Sequence, residues 1–149
     1  MKKSLLLIAI VVSHSICLAQ EVLSLDEVRQ KFEAIDSEED IEQFIGSSID
    51  ANDPDAPTVR AYQATSTCMM ADYVFSPIKK LKYFNKGKAE LEELIAKQKT
   101  VEKVYLRLLL QLKIPKFLNY YKNIDEDLAY FEAELPGAKI DVKYKDIMI

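Results

Sequence analysis

Apolar residues return every three or four positions along most of the chain, the spacing of one helical face. Ser24-Leu25-Asp26-Glu27 forms a capping-box pattern followed by Val28, Phe32 and Ile35, which predicts a first helix over about 25–35. Ser37 caps a second, from about Glu38 to Ser48, with Ile41, Phe44, Ile45 and Ile49 on one side. Turn formers crowd residues 50–57, so the main loop falls there, and Pro57 suits the first turn of a helix over about 57–75. That helix carries Val59, Tyr62, Ser66, Met69 and Tyr73 at steps of three and four.

Ser76-Pro77 stops one helix and caps the next, because proline cannot continue a helix but fits its opening turn. The next helix runs to about Ala96 with Ile78, Leu81, Phe84, Leu91, Leu94 and Ile95 as its stripe, and Gly87 lets a neighbour approach closely. Thr100 caps a helix over about 101–113 with Val104, Tyr105, Leu108, Leu109 and Leu112 inward. Pro115 ends it and opens a short helix through Tyr121, and a further helix over about 124–135 carries Ile124, Leu128, Phe131 and Leu135 before Pro136-Gly137. The tail alternates Ile140, Val142 and Tyr144 at period two, which leaves an edge strand, a short helix or a loose end open. The fold class expected is all-α, an irregular antiparallel bundle or helical-hairpin stack of six to seven helices.

The start of the chain has a different character. Met1-Lys2-Lys3, an apolar run from Leu5 to Val12 and the small-residue end Cys17-Leu18-Ala19 have the layout of a secretory signal peptide. The expected organisation is a signal peptide over 1–19 and one helical domain over 20–149. That domain divides into an acidic helical pair over 20–49, a loop over 50–57, a helical core over 58–135 and a tail over 136–149. The mature protein is then periplasmic or extracellular. The run is half of what spans a bilayer, so no transmembrane segment is expected. Ile16 before Cys17 disfavours lipid attachment there.

Processing changes the available chemistry. His14, the one histidine, and Cys17, one of two cysteines, leave with the signal peptide. Cys68 then remains alone, either buried as a small apolar residue or free to pair between chains, and histidine triads and histidine metal sites are excluded. No glycine loop to cradle phosphate is present, so no catalytic residues and no cofactor are assigned. Cys68-Met69-Met70 does not read as a metal site, because neighbours on a helix diverge by about 100°. Asp50, Asn52, Asp53 and Asp55 also fail the calcium-loop pattern, with Asp55 where glycine is needed.

Charge is segregated. Residues 20–57 hold twelve acids and two bases, residues 58–122 five acids and thirteen bases, and residues 123–149 seven acids and three bases. Lys79, Lys80, Lys82 and Lys86 sit at the start of a helix, where cations oppose the macrodipole. Their presence near Ser76 leaves two readings open, pairing with the acidic amino-terminal segment or a site for an anionic envelope component. Nucleic acid is not an expected partner for an acidic, exported chain with no base-reading motif. Asp72 is the sole acid between Thr58 and Ala89, and Arg107 is set among leucines, so a structural ion pair between the two is expected.

The stretch from Phe84 to Leu112 resembles a tetratricopeptide-type junction, with Gly87 in the small-residue position, Leu91, Leu94 and Ile95 following, and Tyr105, Leu108, Leu109 and Leu112 opening the next helix. The whole chain is similar to small exported helical proteins. Either likeness implies a helical surface for partners with no chemistry of its own. The function expected is a non-catalytic binding or scaffold protein of the cell envelope acting on a protein partner. The alternative is a carrier or sensor of an anionic or amphipathic ligand between helices lined by Tyr62, Met69, Tyr73 and Tyr105.

Overall fold

The computed structural model describes residues 22–149. The expected signal segment, with His14 and Cys17, lies outside the described residues. Among them are seven α-helices and one 3-10 turn: α1 (Leu25–Glu33), α2 (Glu38–Ile45), α3 (Ala56–Tyr73), α4 (Pro77–Lys97), α5 (Val101–Lys113), the 3-10 turn Lys116–Leu118, α6 (Ile124–Glu134) and α7 (Val142–Met148). The all-α expectation holds, and five of the starts carry the chemistry that sets them. Ser24 and Glu27 close a reciprocal capping box, Ser37, Ser76 and Thr100 each accept a backbone N–H from the third helical residue, and Asp141 accepts from Lys143.

Helix α3 is packed by α1, α2, α4 and α5, so burial runs around much of its circumference. Ala61, Tyr62, Ala64 and Ser66 have no exposure at all. Small side chains make this encirclement sterically feasible. The hydroxyls of Thr65 and Thr67 return hydrogen bonds to the carbonyls of Ala61 and Gln63, both at 2.9 Å, so they enter the interior with partners. Gly87 gives α4 its approach to α3. A Cβ there would overlap the Ala64 carbonyl oxygen and stand 2.6 Å from the Cys68 sulfur and 2.8 Å from the Cys68 nitrogen.

The tail resolves as a helix. Tyr144 and Met148, one helical turn apart, are its buried residues, whereas Val142, part of the period-two pattern, is 71% exposed. After Pro115 the chain makes only a three-residue 3-10 turn, shorter than the expected helix through Tyr121, and Asn119 ends it in the left-handed region at φ 54°. Asparagine tolerates that conformation better than most residues.

Four inward expectations fail. Ile78, Leu81, Leu112 and Leu128 are 82%, 47%, 73% and 45% exposed. The apolar stripes of α4 and α5 continue at the helical period past the region where another helix covers them, and on α6 Phe131 is buried while Leu128, one turn before it, is not.

Candidate functional site

Helices α3 and α5 end, and α4 begins, at one end of the bundle. Pro77 allows α4 to restart four residues after Tyr73, and α5 stops two residues before Pro115. These breaks leave a groove of about 600 Å³ between the ends of α3, α4 and α5 and the Ile114–Leu118 segment. Cys68, Phe84 and Leu110 of its lining are buried, and its walls also include Met69, Leu81, Ile114 and Leu118. Phe117 borders it at 83% exposure. Among the described residues that line it there is no hydroxyl or amide side chain, and the charged ones are Lys80, Lys113 and Asp72.

The lysine cluster is only partly engaged. The Lys80 ammonium donates to the Ala71 carbonyl at 2.8 Å, so a lysine that opposes the dipole of its own helix serves the carbonyl end of the preceding one. Ser76 accepts the backbone N–H of Lys79 at 3.5 Å as the cap of α4. Lys79, Lys82 and Lys86 are exposed, and among the described residues no ion pair joins them to the acidic amino-terminal segment.

The expected aromatic lining is dispersed. Tyr62 is fully buried, with its hydroxyl donating to Glu102 at 2.6 Å and 2.7 Å from the Tyr144 hydroxyl. Tyr105 is buried and stacks on Phe131, and Tyr73 lies at the exposed end of α3. Met69 is the member of that expected set that reaches the groove.

The expected pairing of Asp72 with Arg107 is corrected. Arg107 donates to both oxygens of Asp127, at 2.7 and 2.5 Å, and to Glu92 at 2.8 Å. Asp72 is exposed beside the groove. Asp127 was not distinguishable from the other α6 acids in the sequence, because its burial depends on where α6 docks against α5.

A second buried ion pair joins α1 to α5. Arg29 on α1 donates to both oxygens of Glu102 on α5, at 2.7 and 2.9 Å, and to Asp26 at 2.7 Å. Burial alone would lower the Arg29 pKa, but the hydrogen bonds and charge of Glu102 outweigh it and hold the guanidinium above its ordinary value. Arg107 behaves alike: its desolvation is overcome by Asp127 and Glu92. Both arginine–carboxylate pairs have their hydrogen bonds satisfied inside the protein, which suits holding helices in place.

Lys103 is buried, and among the described residues no acid pairs with it. Its ammonium lies 2.9 Å from the Gln98 carbonyl and 3.5 Å from that of Leu94 at the end of α4, and desolvation pushes its pKa down. A cation at a helix carboxyl end is in the favourable field. Among the described residues, no group of three or more histidine, cysteine, aspartate or glutamate side chains is placed to hold a metal, and no helix is long and apolar enough to cross a membrane.

The groove residues Leu81, Lys113 and Phe117 were missed as site residues. Their sequence signal was an apolar stripe ending beside a proline, which also describes an ordinary helix terminus. No family model, curated protein or solved structure matches this chain.

Proposed function

We propose that the protein is a non-catalytic binding protein of the cell envelope that holds an amphipathic ligand in the groove between α3, α4 and α5. The observation that carries this reading is an apolar, half-open groove of about 600 Å³, within the roughly 300–1,000 Å³ of ordinary ligand pockets. Its walls carry no nucleophile in a catalytic setting: Cys68 is buried and its thiol donates to the Phe84 carbonyl.

A second reading is a protein partner docking on the same end of the bundle. It is favoured by Phe75, fully exposed, and Ile78, 82% exposed, which extend the apolar surface beyond the groove lining. The tetratricopeptide-like stretch 84–112 supports it too, since such hairpins present surfaces to partners.

Native mass spectrometry of the mature protein taken from its own envelope tests both. A small-molecule mass lost on denaturation supports the carrier, and a polypeptide mass supports the docking surface. A bare chain, with no adduct trapped by a photo-crosslinker at position 117 in intact cells, overturns both.

A further inference from the structure

Resting on the groove as the binding site, we propose that its occupant is a single-chain amphiphile with an anionic head: the hydrocarbon lies against Leu81, Phe84, Leu110 and Phe117, and Lys80 and Lys113 hold the head.

The chemistry of the walls selects the body of the ligand. They are built from cysteine, methionine, alanine, proline, leucine, isoleucine and phenylalanine, with three charged residues added. A sugar, nucleotide or polar peptide buried there would lose its bonds to water and find no hydroxyl or amide side chain to replace them, at a cost of roughly 1–3 kcal/mol per group. A hydrocarbon chain loses nothing of that kind and gains about 0.8 kcal/mol per buried methylene. The exposed apolar mouth points the same way, since Phe117 and Leu81 leave water when a chain covers them.

Charge selects the head. Two cations, Lys80 and Lys113, border the groove against the single acid Asp72. Along α4 the exposed Lys79, Lys82 and Lys86 add to the same sign, and α4 holds no acid before Glu90. The summed field draws anions toward this end of the bundle and repels cations. Lys80 already meets one carbonyl, and an ammonium has further donors for a carboxylate or phosphate head.

The test is calorimetric titration of the full mature chain with dodecanoate, dodecyl maltoside and dodecyltrimethylammonium, each below its micellar range. Dodecanoate is expected to bind one to one and most tightly. Replacing both lysines (Lys80→Gln with Lys113→Gln) should weaken dodecanoate by roughly tenfold, the worth of two exposed ion pairs, and leave the maltoside unchanged. Asp72→Asn should tighten dodecanoate, and Leu81→Glu should abolish binding of all three. Equal affinity for the three heads would overturn the anionic head while leaving the groove as the site. Absence of any binding, or dodecanoate binding indifferent to Leu81→Glu, would overturn the groove reading as well. Binding to anionic lipid vesicles alone, without dispersed dodecanoate, would mark a membrane surface instead and also overturn the proposal.

Discussion

Arg107 holds Asp127 by both carboxylate oxygens across the α5–α6 contact, and the Asp127 side chain has no solvent exposure. With Arg29 and Glu102 it forms a pattern: each buried pair joins segments of opposite overall charge. Arg29 is one of two bases in an acid-rich segment, and Glu102 one of five acids in a base-rich one. Arg107–Asp127 pairs the majority charge of each of its segments and Arg29–Glu102 the minority charge of each of its own, while Lys79, Lys82 and Lys86 remain on the surface.

Removing one member of such a pair leaves a buried charge. Asp127→Asn should lose about 3 kcal/mol or more of stability, because Arg107 keeps its charge without a full counterion. Asp72→Asn, at an exposed position, should stay within about 0.5 kcal/mol of the parent. Urea unfolding of both variants checks this, and equal midpoints would refute the structural role of the Arg107–Asp127 pair.

Gly87→Ala tests the closeness of α3 and α4. An alanine normally favours a helix by about 1 kcal/mol over glycine. Here its Cβ meets the backbone of Ala64 and Cys68, which is not the yielding end of a flexible side chain. Overpacking should win, with a net loss of about 1–3 kcal/mol. A thermal midpoint equal to or above the parent's would show that the helices separate at no cost.

Four buried tyrosines make the fold sensitive to alkali. Burial raises the pKa values of Tyr62, Tyr105, Tyr120 and Tyr144, with Tyr105 pushed up to about 12. The unfolded chain releases these protons near pH 10 while the native state retains them. Their contribution is therefore fully present below about pH 10 and falls above it, by up to about 1.4 kcal/mol per pH unit for each tyrosine. Lys103, with its pKa lowered by burial, acts in the opposite direction as pH approaches the ordinary lysine value, but as one group against four. Tyrosinate absorbance and helical circular dichroism should change together on alkaline titration. Ionisation of these four tyrosines with helicity intact would count against their burial.

Cys68 should be unreactive in the native protein. Burial pushes its thiol up to about 12, and only the thiolate attacks disulfide reagents. Labelling with an aromatic disulfide at pH 8 should proceed only as fast as the protein opens, and at once in denaturant. Rapid native labelling would show that the floor of the groove is open to solvent.

Helix starts were legible in the sequence wherever a local interaction sets them. Ser24 with Glu27, Ser37, Ser76 and Thr100 each satisfy backbone N–H groups within three residues, so no distant partner is needed. Gly87 was legible as a close approach because its missing side chain interrupts an otherwise regular stripe. The tail was not, since Ile140, Val142 and Tyr144 fit period two as well as a helix. The Tyr144 hydroxyl beside that of Tyr62 accompanies the helical choice.

What the sequence determined by itself is the all-helical class, most element boundaries and the segregation of charge, all of which depend on neighbours a few residues apart. Tertiary structure alone decided which acid meets Arg107, which tyrosines enter the interior and where the apolar stripes of α4 and α5 run past their cover. The physical reason is that a periodic stripe shows which face of a helix is apolar but carries no information on how far a neighbouring helix extends along it. At Leu81, Lys113 and Phe117 that extent separates the filled core from an open groove.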